Sequence, residues 1–146
     1  MTLTVAELLA RKEAEAARKR AEAEAAAEAA RAERATFAAR VMAYQITEED
    51  KARARAKIAK AFEDGEREVM LAHFPSQICE DGGRRINNQL EGWQDTLPGA
   101  FRQVYEMWER DLKPGGFGFS ARIISFPDGM PGEVGIFITW PQVFDR

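Results

Sequence analysis

The only histidine and the only cysteine of the chain, His73 and Cys79, lie in one short segment, HFPSQICEDGGRRINNQLEGW. A cysteine at a helix start, near a histidine that can take its proton, could act as a thiol nucleophile, because the helix dipole lowers a thiol pKa. Glu80 and Asp81 follow directly and oppose that effect. Free cysteine is more often a small apolar core residue, so a thiol enzyme using Cys79 and His73 is our third hypothesis.

The same segment continues with Gly82-Gly83-Arg84-Arg85, a pattern that could bind an anion. Backbone N–H groups exposed at glycine, beside two guanidinium groups, suit phosphate. The pattern is not a P-loop, because no strand signal precedes it and no Gly-Lys-Ser/Thr follows. We expect a helix junction in which the glycines allow close packing, and anion binding there stays open.

Metal binding has little support in the residue types. One histidine and one cysteine cannot complete a structural zinc site, and the acidic residues do not have EF-hand spacing. The acidic groups 48–50 and 80–81 stand where helices are predicted to begin. We predict no metal, no cofactor and no catalytic residue, and we interpret the protein as not an enzyme.

The bulk composition restricts the function classes further. A chain of 146 residues with a net charge of −3 has room for one ordinary domain and is not a polycation. One cysteine cannot form an internal disulfide, which favours a reducing compartment. The first residues lack a secretory signal, and no apolar run approaches the roughly 18 residues that span a bilayer. We therefore expect a soluble, cytoplasmic protein without a membrane partner.

The elements that must position these residues change in character near residue 45. From Val5 to Ala43 the chain consists almost entirely of Ala, Glu, Arg and Lys, without glycine or proline, which predicts one long helix with Thr4 in a capping box. Its alanine-lined face is a weak coiled-coil seam. We expect residues 1–46 to form a helical extension and residues 47–146 to form the compact domain.

Three more helices are predicted within the domain. The second runs from about Glu48 to His73, starts at a Thr47 capping box and is interrupted at Gly65. The third is capped by Ser76. Its predicted apolar face consists of Ile78, Cys79, Ile86, Leu90 and Trp93. The fourth has a broad apolar stripe, which is typical of a helix packed on a core. That stripe consists of Ala100, Phe101, Val104, Tyr105, Met107, Trp108 and Leu112.

Two strand-like segments, FGFSARIISF and EVGIFITW, follow and are joined by PDGMPG. Their Phe, Ile and Val content, with a turn between them, predicts an antiparallel β-hairpin. The expected fold class is α+β: a long N-terminal helix, then about three helices packed on a C-terminal two-stranded hairpin. Apolar residues occur on both hairpin faces, and an uncovered apolar edge favours docking of another chain.

These features favour a non-catalytic protein–protein interaction module, such as an adaptor, an inhibitor or an assembly factor. It would bind a protein partner through the helical extension, the hairpin or both, and self-association into a homo-oligomer is a further expectation. The predicted contact residues are Leu8, Leu9, Phe37 and Val41 in the extension, Arg84 and Arg85 as polar anchors, and Ile124, Phe126, Phe137 and Trp140 in the hairpin.

The alternative is a nucleic-acid-binding protein, because three helices and a hairpin are also the element order of a winged helix-turn-helix. A basic patch would then consist of Arg84, Arg85, Lys113 and Arg122. Against it, the fourth helix carries Arg102 and Arg110 but also three acidic residues, Glu106, Glu109 and Asp111. The hairpin loop has no basic residue. A DNA-reading surface requires the opposite charge pattern.

Overall fold

The computed structural model describes residues 2–141, which contain both α-helix and β-sheet. The helices are α1 (Val5–Ala43), α2 (Glu48–Glu63), α3 (Arg84–Asn87) and α4 (Gly99–Met107), and the strands are β1 (Glu68–Pro75), β2 (Gly118–Ile123) and β3 (Glu133–Thr139). The chain divides into two compact units after Thr36. The second unit therefore begins within α1.

The first unit, described for residues 2–36, is helical from Val5 onward, so the predicted long N-terminal helix is confirmed. The backbone N–H of Glu7 donates to Thr4 Oγ1 at 3.1 Å, which caps the first turn. Arg18 forms exposed ion pairs with Glu15 at 2.5 Å and Glu22 at 3.5 Å. Such surface pairs contribute little, so alanine-rich helix propensity is the main local stabilisation here.

The second unit contains a three-stranded antiparallel sheet in the order β1-β3-β2. The predicted hairpin is present as β2 and β3, but the prediction of a two-stranded sheet is wrong because β1 pairs with the other edge of β3. The predicted second helix is correspondingly too long. It ends at Glu63 instead of His73, after a start at the expected Thr47–Asp50 capping box.

The third helix is much shorter than predicted, because only the four residues of α3 are α-helical in the described segment between Ser76 and Trp93. Residues 76–97, called the junction segment from here on, form short turns around the four-residue helix α3. Gly82, Gly83 and Gly92 have φ values of +69°, +85° and +80°. An α-helix cannot continue through left-handed residues, so these glycines divide the segment into separate turns.

The predicted fourth helix is present as α4, followed by a π-helical turn at Trp108–Leu112. Its start packs directly on the end of α1: a Cβ atom at Gly99 would lie 2.7 Å from the Cα of Met42. The amide of Gln103 accepts from the Ile46 N–H and donates to the Tyr44 carbonyl, both at 2.8 Å. α4 therefore holds the connection between α1 and α2 in place.

The core lies between the helices and one face of the sheet, and it contains two clusters of buried side chains. The first consists of Phe74, Cys79, Ile86, Leu97, Val134 and Ile136. The second consists of Ile58, Met107, Leu112 and Ile138. Val134, Ile136 and Ile138 of β3 are fully buried, so the central strand connects the two clusters.

Candidate interaction surfaces

The geometry around Cys79 contradicts the thiol-enzyme hypothesis. The Cys79 side chain is only 4% exposed and belongs to the core cluster. Burial, and secondarily the charge of Asp81, raises the pKa of this thiol to about 12. His73 is instead an exposed strand residue whose Nδ1 lies 3.0 Å from a carboxylate oxygen of Glu133. A thiol that stays protonated inside the core cannot act as the proposed nucleophile.

Of the two glycines of the glycine–arginine turn, Gly83 is closely packed, whereas a Cβ atom at Gly82 would meet no atom within 4 Å. A Cβ atom at Gly83 would lie 2.9 Å from the Cβ of Ser76, so only glycine allows this approach. The carboxylate of Asp81 accepts hydrogen bonds from the backbone N–H groups of Gly83 and Arg85, each at 3.0 Å. These are the donors that a phosphate would need, so Asp81 occupies the position that an anion would take.

Three of the four residues of the expected basic patch are engaged within the chain. Arg122 forms two hydrogen bonds with the carboxylate of Glu68, one at 3.0 Å, and this interaction lowers the pKa of Glu68. Lys113 lies 5.6 Å from the Trp108 ring centroid. The Arg85 guanidinium donates to the Glu91 carbonyl at 2.9 Å. Only Arg84 is exposed without a side-chain hydrogen bond, an ion pair or an aromatic-ring contact to the residues that the structure describes.

The four predicted contact residues of the hairpin have different environments. Ile124 and Phe126 are exposed, by 41% and 53%. Phe137 is buried, because the guanidinium of Arg122 lies 3.6 Å from its ring centroid. Trp140 is half-buried, and its indole N–H donates to the Glu66 carbonyl at 3.0 Å. Two of the four side chains are therefore accessible to a partner.

The predicted contact residues of the helical extension also differ. Leu8 and Leu9, in the first unit, are 46% and 58% exposed. Val41, in the second unit, is 5% exposed, and Phe37 packs against the first core cluster. The last two residues therefore stabilise their own unit, and only the leucines are available to another molecule.

The hairpin loop, residues 124–132, is held at both ends. The Ile124 N–H donates to the Glu133 carbonyl at 2.8 Å, and the Gly132 N–H donates to the Ser125 carbonyl at 2.9 Å. Ser76, which is 2% exposed, adds two bonds: its N–H donates to the Gly132 carbonyl at 2.8 Å and its hydroxyl donates to the Pro131 carbonyl at 3.1 Å. The loop thus has a defined position relative to the sheet.

The tip of this loop presents large apolar side chains to solvent. Two turn bonds shape it, from the Gly129 N–H to the Phe126 carbonyl at 3.1 Å and from the Met130 N–H to the Pro127 carbonyl at 3.0 Å. Met130 is 67% exposed, more than any other apolar residue of the hairpin. Sequence reasoning missed Met130, although its place in the PDGMPG turn was a usable signal, since turns lie at the surface.

A groove in the second unit was also not predicted. It has a volume of about 660 Å³ and lies between the end of α1, α2, β1 and α4. Leu71, Phe101 and Val104 are half-buried side chains of its lining, and Arg40 and Lys57 are exposed ones. The sequence carries no local signal for this groove, because four separate segments form it.

The described residues 2–141 contain no group of three or more His, Cys, Asp and Glu side chains that could hold a metal ion. No helix in this part of the chain is both long enough and apolar enough to cross a membrane. Comparison with protein-family models, with curated proteins and with solved structures finds no match to this chain.

Proposed function

We propose that this protein is a non-catalytic interaction module that binds a protein partner through its hairpin loop. The observation that supports this proposal is the exposure of Ile124, Phe126 and Met130 on a loop whose backbone is tied to two strands and to Ser76. Exposed apolar groups clustered on one element are typical of interaction sites.

The hydrogen bonds of the loop also favour binding energetically. A segment that is already ordered loses little conformational entropy when it docks, so more of the contact energy remains as affinity. Phe126 is a large, rigid side chain that can fill a pocket of the partner. Met130 is flexible and polarizable and can adapt to an irregular surface. Together they form an anchor and an adaptable contact.

The charges near the loop favour a protein over a nucleic acid. Residues 124–132 include Asp128 but no lysine or arginine, and Glu133 follows directly. Phosphate groups of a nucleic acid or of an anionic membrane would be repelled here. The partner surface that would complement this loop is an apolar pocket with a neutral or basic rim.

A site-specific crosslinking experiment tests this proposal. A photo-crosslinking amino acid would replace Phe126 in one full-length variant and Met42 in a second, since Met42 is 63% exposed but lies at the end of α1. Crosslinking would be carried out in cells of the native host, followed by nuclease treatment and identification of the adduct. We expect a nuclease-resistant protein adduct from position 126 that position 42 does not give.

A double variant, F126S/M130S, serves as the quantitative companion, with M42S as the matched control. We expect the variant to reduce capture of that partner by at least about tenfold, in line with the loss of two interface anchors, while M42S has no effect. Equal capture by both variants, or adducts that consist only of lipid or nucleic acid, would reject a protein-binding loop.

Self-association through the exposed leucines of α1 remains part of the proposal. Leu8 and Leu9 form an apolar pair at the start of a helix whose other side chains are mainly charged or alanine. If they mediate a homo-oligomer, L8S/L9S will shift the sedimentation coefficient of the full chain to that of a monomer. If the wild-type chain and L8S/L9S have the same sedimentation coefficient, self-association through these leucines is rejected.

A further inference from the structure

The groove between the end of α1, α2, β1 and α4 has fixed walls. The Phe101 ring stacks on Phe74 of the core at a centroid distance of 4.3 Å. Val104 packs against both core clusters, and Gln103 fastens the connection between α1 and α2 to α4. Its apolar lining is therefore held by the same contacts that hold the fold, so the volume of about 660 Å³ is part of the folded unit.

The lining of the groove carries two positive charges that have no partner among the described residues. Arg40 and Lys57 line the groove and are exposed, and neither forms an ion pair or side-chain hydrogen bond with the residues that the structure describes. The other two cations of the lining differ, since Lys51 pairs with Glu48 at 3.3 Å and Arg53 pairs with Glu49 at 3.5 Å.

The single carboxylate of the lining does not cancel these two charges. Asp50 accepts hydrogen bonds from the Tyr44 hydroxyl at 2.5 Å and from the Thr47 N–H at 2.9 Å, and it also pairs with Arg53. These contacts lower the pKa of Asp50, the Tyr44 bond contributing most. Its charge is therefore shared among local donors, which leaves Arg40 and Lys57 to attract an anion.

We propose that this groove binds a long-chain aliphatic carboxylate, with the alkyl chain on Leu71, Phe101 and Val104 and the carboxylate at Arg40 and Lys57. The volume lies within the roughly 300 to 1,000 Å³ of small-molecule sites, which combine an apolar lining with few polar groups. A guanidinium binds a carboxylate by two parallel hydrogen bonds. This site goes beyond the proposed function, since it shares no residue with the hairpin loop.

Isothermal titration of the full chain with laurate, below its critical micelle concentration, tests the proposal. We expect saturable binding of one laurate per chain. Dodecanol has the same alkyl chain without the charge and should bind at least about tenfold more weakly, because the charge-assisted hydrogen bonds are lost.

Variants of the two cations locate the carboxylate. R40Q and K57Q should each weaken laurate binding by about five- to tenfold, as expected for removal of one charged donor. K60Q is the matched control on α2, because Lys60 pairs with Asp64 and does not line the groove. F126S/M130S should also leave laurate binding unchanged, so the groove and the hairpin loop are tested separately.

Three results would overturn this site: no saturable laurate binding, equal affinity for laurate and dodecanol, or unchanged affinity in both R40Q and K57Q. Binding of an acidic amphipathic peptide in the absence of laurate binding would likewise reject the carboxylate. Because Arg40 and Lys57 are exposed, we expect R40Q and K57Q to fold normally, and circular dichroism verifies the fold of each variant.

Discussion

The junction segment and the hairpin loop are both irregular, yet they use their residues in opposite ways. The junction segment contains the residue types that suggest chemistry, and the structure places Cys79 in the core and uses Asp81 and Gly83 for the turn. The hairpin loop contains no reactive group, and it places Phe126 and Met130 in solvent. Residue type alone therefore does not show which segment is accessible to another molecule.

The difference follows from what each segment has to satisfy. The junction segment must reverse direction several times while it packs on the sheet, so its glycines and its aspartate serve the backbone. The hairpin loop has its backbone bonded by the strands and by Ser76. Its Phe126 and Met130 side chains are exposed and belong to neither core cluster.

The reactivity of Cys79 gives the largest expected effect. With the pKa of this thiol raised from 9.0 to about 12, the thiolate fraction near neutral pH falls about a thousandfold, and alkylation should slow by at least that factor. Iodoacetamide labelling of native and urea-unfolded protein measures it. A native rate within tenfold of the unfolded rate would show that the junction segment keeps its thiol accessible.

The same raised pKa predicts a pH dependence of stability. Above pH 9 the unfolded chain releases the thiol proton while the folded chain retains it, so this contribution is present below about pH 9 and is lost as pH rises toward 12. C79A removes the titration. Between about pH 8 and pH 10 the free energy of unfolding should therefore fall more steeply in the wild-type protein than in C79A.

The close approach at Gly83 gives the next largest effect. G83A should lower the free energy of unfolding by about 2 to 4 kcal/mol, from left-handed backbone strain and from the collision with Ser76. G82A is the matched control, because Gly82 has a similar φ but a Cβ there would have no neighbour within 4 Å. It should cost only about 1 to 2 kcal/mol. Urea unfolding measures both, and equal losses would contradict the packing role of Gly83.

The bond from the Ser76 hydroxyl to the Pro131 carbonyl links the two regions. S76A should cost about 1 to 2 kcal/mol, because it leaves a partly buried carbonyl without its donor. Hydrogen exchange at the Gly132 and Met130 amides should accelerate as the loop loosens. S120A is the control, because the Ser120 side chain on β2 has no such hydrogen bond within residues 2–141. It should change neither the free energy of unfolding nor the hydrogen exchange of these amides.

The smallest effect is expected at the tip of the hairpin loop. F126S should change the free energy of unfolding by less than about 0.5 kcal/mol, because an exposed side chain loses little on substitution. F137S, in the same hairpin, removes a buried ring and should cost at least about 3 kcal/mol. Comparable losses in the two variants would mean that Phe126 is structural and would weaken the contrast between the two regions.

The features that the sequence predicts well are those determined by neighbouring residues. The composition of α1, the Thr47 capping box and the β2–β3 pairing are all local signals, and the structure contains each of them. The left-handed glycines are a partial case. Gly82 and Gly83 were expected to allow close packing, which the structure shows for Gly83 alone, and their division of the third helix was not foreseen.

Strand β1 was missed because of a bulge. The register of β1 against β3 shifts between Met70 and Ala72, so the residues that pair with the buried Ile138, Ile136 and Val134 of β3, namely Val69, Ala72 and Phe74, are spaced three and then two apart. A spacing of three imitates a helix, and the alternation that identifies a strand is interrupted. The pattern was therefore interpreted as a continuation of α2.

The candidate surfaces depend on long-range contacts, which no local pattern contains. Phe137 has an apolar side chain on the outer sheet face, and only the contact with Arg122, fixed by Glu68 on β1, shows that it is covered. The groove similarly requires α1, α2, β1 and α4 together. Single-sequence reasoning finds the exposed residues Ile124 and Phe126 but cannot separate them from Phe137.

The order of the sheet has a consequence for synthesis of the chain. β3, the central strand, leaves the ribosome after both of its neighbours, so β1 and β2 have no sheet partner until residues 133–139 emerge. Pairing between distant segments is slow to nucleate. During translation the apolar face of β1 is therefore unpaired until β3 is synthesised. Until then, the helical elements that precede β3 can pack against it.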